Sequence, residues 1–198
     1  TIRSQNSDLT TPLSILGLEV QSQERRVSVW LSLLYRAMVM VCTAKTFPEI
    51  LVIEVGAGAP KDVQKIARWL QPHISVFTAL QSSPVHLDYF ADRGQLFDEK
   101  KQLALYTNPT GTIIYNSDDE FLPKLLSDSS HHVITVGYGG QVCITAHQNT
   151  RKGIECDITI RNVTHHAVIP GVWGLSYTCS LALSLAVALD IGLDISDA

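Results

Sequence analysis

The sequence predicts an α/β domain: a largely parallel sheet flanked by helices, with a small antiparallel patch in its C-terminal half. Two patterns carry that expectation. Between Ile50 and Leu126, short apolar and β-branched runs alternate with segments whose apolar residues recur at helical spacing, as in parallel strands joined by helices. After Ser130 the apolar runs become short, alternating and separated by turn residues, as in antiparallel strands. A chain of 198 residues suffices for one domain and one sizeable core.

Residues 1–18 read as a polar loop ending in Pro12 and the apolar run Leu13–Leu18. Arg25 to Ala44 is predicted as a helix, with Pro48 closing the connection after it. Its run VSVWLSLLYRAMVMVCTA is apolar enough to raise a membrane span, but Arg36 in the middle is costly in a bilayer, so a mostly buried helix is expected. Ile50–Val55 (ILVIEV) is a continuous apolar run expected as a strand buried on both faces. Gly56, Gly58 and Pro60 break it, and Val63, Ile66, Ala67 and Leu70 place a helix over Lys61–Leu70. Ile74–Leu80 is the second strand, Asp98–Tyr106 a helix, Thr112–Tyr115 the third strand and Phe121–Leu126 a short helix. His132–Val136, Val142–His147, Ile154–Arg161 and Ala167–Ile169 are expected to form the antiparallel patch at the sheet edge. The strongly apolar Tyr177–Leu189 reads as a helix ended near Gly192. Neither repeat nor linker interrupts the pattern, so residues 1–198 are expected to form one domain.

Composition narrows the function classes. A net charge of −4, with Lys and Arg scattered, gives no basic surface for nucleic acid or an anionic membrane. The four cysteines (Cys42, Cys143, Cys156, Cys179) are widely spaced with no C-x-x-C pair, which argues against a zinc site or a disulfide scaffold. With no apolar signal-peptide core at the start, the expected compartment is the reducing cytoplasm.

In open parallel sheets, ligands bind beyond the carboxyl ends of the strands. Glu54 lies at that end of the first apolar run, where a carboxylate is costly unless it meets a basic side chain or a cation. His86 follows the second strand, in S-S-P-V-H-L-D-Y-F, and either caps the next helix or completes a mixed oxygen–nitrogen metal site. Asn116, Asp118 and Asp119 follow the third strand, where such residues cap helices. The pairs His131–His132 and His165–His166 sit on strands whose successive side chains face opposite ways, so they read as surface or edge residues.

A set of motifs in fixed order extends this reading. Glu54-Val55-Gly56-Ala57 and Pro60 are followed by Pro72-His73-Ile74-Ser75-Val76-Phe77-Thr78 and by His86-Leu87-Asp88-Tyr89-Phe90. Glu99-Lys100-Lys101-Gln102-Leu103 and Asn116-Ser117-Asp118-Asp119 come next. In order, spacing and predicted elements this resembles the Mur ligase family, specifically its D-alanyl-D-alanine-adding branch. The turn E-x-G-A-x-x-P is closer to that branch than to folate or cyanophycin relatives. Upstream, Asn6 to Leu13 resembles the family's N-x-x-x-G-x-P-L, with Thr10 in place of Gly. Downstream, Pro170-Gly171 and the helix Leu181–Leu189 resemble the close of the central domain. There many members carry P-G-x-H-N, whereas this chain has Trp173 and Gly174.

The resemblance implies an ATP- and Mg²⁺-dependent carboxylate–amine ligase of peptidoglycan synthesis. In that family ATP phosphorylates a carboxylate to an acyl phosphate, which an amine then attacks. The implied substrates are a UDP-muramoyl peptide and D-alanyl-D-alanine. Glu54 and His86 are then expected to hold Mg²⁺. Lys100 aligns with the lysine that the family carbamylates into an anionic metal ligand, with Lys101 as its neighbouring competitor. Asn6, Asn116 and Asp119 are the expected nucleotide contacts. The family's phosphate loop, G-x-x-G-K-[ST], does not occur in these residues. The chain is therefore expected to be a central ATP-binding domain incomplete at its N-terminus and without the C-terminal domain. The competing expectation is a non-catalytic α/β binding or scaffold protein on the same fold.

Overall fold

The computed structural model describes residues 10–18, 26–43, 48–80 and 89–193. Six helices and six strands follow in order: α1 (Thr10–Ile15), α2 (Val27–Thr43), α3 (Asp62–Leu70), β1 (Ile74–Phe77), α4 (Arg93–Leu105), β2 (Thr112–Asn116), α5 (Leu122–Leu125), β3 (His132–Gly137), β4 (Val142–Asn149), β5 (Gly153–Ile160), β6 (Val163–Pro170) and α6 (Leu175–Asp190). The strands form one sheet in the order β1-β2-β3-β4-β5-β6, so each lies beside its neighbour in sequence. β1, β2, β3 and β4 run parallel, and β5 and β6 continue antiparallel. The predicted α/β class and the switch to antiparallel pairing both hold.

Successive residues of β2 serve opposite faces, as the two-residue repeat of a strand requires. Ile114 joins Val136, Ile144, Ile158 and the α6 residues Ala182, Leu183 and Ala186 in one core. Ile113 joins Phe77, Leu80, Ala104, Leu122 and Leu126 in a second core on the other face. Across that second face Phe97 of α4 meets Phe121 at the start of α5, their ring centroids 5.0 Å apart. α3 shows the expected amphipathic spacing, with Val63, Ile66 and Ala67 buried. Thr112 Oγ1 donates to Asp190 Oδ1 at 3.0 Å, tying the last residue of α6 to the start of β2.

Several expectations are corrected. Residues 10–15 form a helix rather than a loop. α4 begins at Arg93, five residues before the predicted start, because Asp92 caps it: its Oδ1 accepts the Gln95 N–H at 2.8 Å. β3 pairs in parallel with β2 and belongs to the first half of the sheet, not to the antiparallel patch. β4 then steps sideways through Tyr138–Gln141 and runs on in the same direction, pairing with β3 only at Val136↔Val142 and Gly137↔Cys143. α2 is a helix as predicted but not a buried one: of its residues only Leu33 is buried, while Leu31, Leu34, Tyr35, Met38 and Val41 are exposed. No helix among the described residues is long and apolar enough to cross a membrane. Ile50–Val55 forms no strand and no ladder pairing among the described residues, and Val52 is 94% exposed. Its composition suits a central strand, but a strand needs neighbours to satisfy its backbone, and no described strand pairs with it.

Candidate functional site

The carboxyl ends of β1 and β2 meet at Asp119. This carboxylate follows β2 and accepts three backbone N–H groups: Leu80, beyond the end of β1, at 2.8 Å, and Phe121 and Leu122, at the start of α5, at 2.9 and 3.0 Å. A β-strand end and a helix N-terminus are thereby fixed by one side chain. Asn116 Oδ1 accepts the Asp118 N–H at 3.0 Å, forming the turn that delivers Asp119. Asp118 turns the other way and accepts the Tyr138 N–H through both oxygens, at 2.9 and 3.1 Å. All three side chains thus serve the local backbone.

Lys100 lies on α4, half-buried. Burial holds its ammonium below the ordinary lysine value, and the attraction of Asp119 opposes that shift. Lys101, one residue on, is also half-buried.

Glu99, the residue before Lys100, is a site residue that the sequence reading did not single out. It is 9% exposed and accepts the Lys61 N–H at 2.8 Å and the Gln64 N–H at 3.0 Å. It therefore caps α3, which has no side-chain cap of its own. α3 begins directly after the Gly56–Pro60 turn, and that turn follows Glu54. Glu54 is exposed. His86 and Asn6 lie outside the described residues. Among the described residues no group of three His, Cys, Asp or Glu side chains is arranged to hold a metal by itself.

The segment after β6 folds back on the β4–β5 turn. Gly171 N–H donates to Lys152 O at 2.9 Å, Trp173 Nε1–H to Thr150 O at 2.9 Å and Gly174 N–H to Asn149 Oδ1 at 3.0 Å. The paired histidines make local contacts. Exposed His166 bonds Asp157 at 2.7 Å, exposed His132 lies 3.9 Å from Asp190, and half-buried His131 bonds Ser129 at 3.1 Å.

The Mur ligase middle-domain model matches residues 10–172. The chain belongs to the Mur ligase family. MurF from Acinetobacter baumannii has the same fold, with a TM-score of 0.70 at 20% identity over 81% of this chain and 35% of that one. The MurF ligase from Thermotoga maritima in complex with ADP gives 0.68 at 18% identity over 81% of this chain and 37% of that one. The UDP-N-acetylmuramate:L-alanyl-gamma-D-glutamyl-meso-diaminopimelate ligase from Neisseria meningitides gives 0.53 at 20% identity, over 66% and 39% of the two chains. At such identities the likeness is one of fold, and this Mur ligase chain spans about a third of the length of the MurF structures it matches. Among curated proteins, none matches the sequence.

Proposed function

We propose that these residues form the middle domain of an ATP-dependent carboxylate–amine ligase of peptidoglycan precursor synthesis. The substrates are a UDP-muramoyl peptide and D-alanyl-D-alanine, joined through an acyl phosphate. The observation that supports this reading is the junction at the carboxyl ends of β1 and β2. There Asp119 ties both strand ends together beside Lys100, while Glu99 ties the turn after Glu54 to the same helix. An α/β domain binds its ligand at such strand ends.

The donor chemistry fits Mg²⁺. Glu54 is a hard oxygen donor, exposed at the end of its apolar run. Lys100 is held toward its neutral form by burial, and the neutral amine is the form that carbon dioxide carbamylates. Glu54, His86 and carbamylated Lys100 are the residues that would hold the metal. Held there, Mg²⁺ would supply neutralisation of phosphate charge for phosphoryl transfer. Asn6, Asn116 and Asp119 are proposed to serve the nucleotide site, Asn116 and Asp119 through the turn that they shape after β2. Consumption of ATP and a UDP-linked substrate assigns the reaction to the cytoplasm.

The test uses the full-length protein. Phosphate release should require ATP, Mg²⁺, a UDP-muramoyl peptide and D-alanyl-D-alanine together, and Lys100→Ala should abolish it. Absence of turnover in the full-length protein with all four present would overturn the ligase reading and favour a non-catalytic binding protein.

A further inference from the structure

We infer that Glu99 is a positioning residue that locks the Glu54 segment to the helix carrying Lys100, a role that rests on the reading of Glu54 as a metal ligand. Two chain segments that must act together here are far apart in sequence. Glu54 leads through the Gly56–Pro60 turn into α3, and Lys100 lies on α4. Between them the cross-link is Glu99: a nearly buried carboxylate that takes two backbone N–H groups, 38 and 35 residues away.

Three features make this more than a cap. Lys61, which donates one of the bonds, has φ of +75°, a left-handed conformation that costs a non-glycine residue roughly 1–2 kcal/mol. Such a backbone persists only where its surroundings enforce it, and the Glu99 bond to that same N–H is the enforcing contact. Second, a burial this deep is expensive for a carboxylate unless it is met by donors, and the α3 N–H groups supply them together with the positive end of the helix dipole. Third, Asp62 closes the turn from inside, its Oδ2 accepting the Ala59 N–H at 2.8 Å. Residues 59–64 are therefore held as one piece, and Glu99 hydrogen-bonds that piece to α4. The adjacent Lys100 shares the helix backbone with Glu99, so any shift of residues 59–64 relative to Lys100 must break or stretch the Glu99 bonds, and Glu54 leads directly into that piece.

The test is made on the full-length protein with Glu99→Gln, which keeps the side chain's size and loses one acceptor. Asp92→Ala, which removes the cap of α4, serves as the control for general destabilisation, and Glu54→Gln as the control for the metal reading. Hydrogen–deuterium exchange reads the coupling directly: Glu99→Gln should speed exchange of the bonded amides of Ala59, Lys61 and Gln64 by about tenfold, as loss of one charge-assisted bond implies, while Asp92→Ala leaves them unchanged. Binding of Mn²⁺ in the presence of ADP, followed by electron paramagnetic resonance, reads the consequence. Glu99→Gln should weaken it by about 10-fold, the size found for groups that orient metal ligands. Unchanged exchange at these amides, or Mn²⁺ affinity altered no more than by Asp92→Ala, overturns the positioning role while Glu54→Gln still weakens Mn²⁺. If Glu54→Gln instead keeps full Mn²⁺ affinity, the metal reading of Glu54 falls, and the role of Glu99 toward it falls with it.

Discussion

Single side chains set the chemistry of this domain, and their partners decide how much of it the sequence exposes. Lys100 and Lys101 are neighbours of the same type; burial holds the Lys100 ammonium below its ordinary value while the attraction of Asp119 opposes that shift. In full-length protein Lys100→Ala is expected to abolish ligase activity that added bicarbonate does not restore, whereas Lys101→Ala keeps most of it; steady-state phosphate release separates the two. Glu54 became a candidate through residue type and position at the end of a strand-like run, and Lys100 only through the motif resemblance of Glu99-Lys100-Lys101-Gln102-Leu103. Glu99 was not, because its partners Lys61 and Gln64 lie on another helix and no spacing rule links them. The thiols offer a second test. Burial pushes Cys156 and Cys179 above the ordinary value of 9.0, whereas Cys42 is exposed. A raised folded value means that the unfolded chain loses its thiol protons first, so these groups add stability below pH 9.0 that is lost as pH rises through the folded values. Native-state alkylation should label Cys42 quickly and Cys156 only on unfolding, and denaturant midpoints should fall as the pH is raised above that point.

Elements here are delimited by caps and special backbone positions more than by apolar periodicity. The start of α4 is the clear case: Asp92-Arg93-Gly94-Gln95 carries a capping signal, with Asp92 accepting the Gln95 N–H and Gln95 Oε1 accepting the Ala91 N–H at 2.8 Å. Apolar spacing alone placed that helix too late. Asp92→Ala should cost about 1 kcal/mol in chemical denaturation. The end of β3 is set just as locally. Gly137 has φ of +143°, and the Asp118 carboxylate fills the space where a Cβ would stand. Gly137→Ala should therefore destabilise by about 1–3 kcal/mol, measured as a lower denaturation midpoint at unchanged slope. Parallel pairing of β3 was not readable from its residues, since a strand of alternating character suits either direction. The deciding feature is the sideways step through Tyr138–Gln141, stabilised by the Gln141 N–H bond to Thr135 Oγ1 at 3.1 Å and the Thr135 N–H bond to Gln141 Oε1 at 3.1 Å.

At the scale of the whole molecule, apolar surface is distributed unevenly. The cores on the two faces of the sheet are closed, but α2 and Ile50–Val52 expose large side chains. Exposed apolar area of this kind promotes association and binds hydrophobic dyes. Residues 1–198 in isolation should bind such a dye at neutral pH and sediment with a concentration-dependent mass. They are also expected to turn over no ATP, since no G-x-x-G-K-[ST] occurs in them; turnover that Glu54→Ala abolishes would refute this. The fold class was visible in the sequence because alternation and turn residues report it directly. Burial of α2 and of Ile50–Val55 was not, because apolar composition states what a segment needs and not whether a neighbour supplies it.

The strict neighbour-by-neighbour order of the sheet has a kinetic consequence. Because among the described residues no strand is inserted between two earlier ones, every described ladder can zip onto an edge that already exists. The links differ sharply in loop-closure cost. β4 to β5 and β5 to β6 are joined by turns of three and two residues (150–152 and 161–162), whereas β1 and β2 are separated by residues 78–111. Short loops close sooner and at lower entropy. The β4–β6 meander with α6 against it is thus the natural nucleus, and β1 joins last. Pulse-labelling during refolding should find the amides of β5 protected before those of β1, so the half of the sheet that bears the candidate chemistry is the last to become rigid.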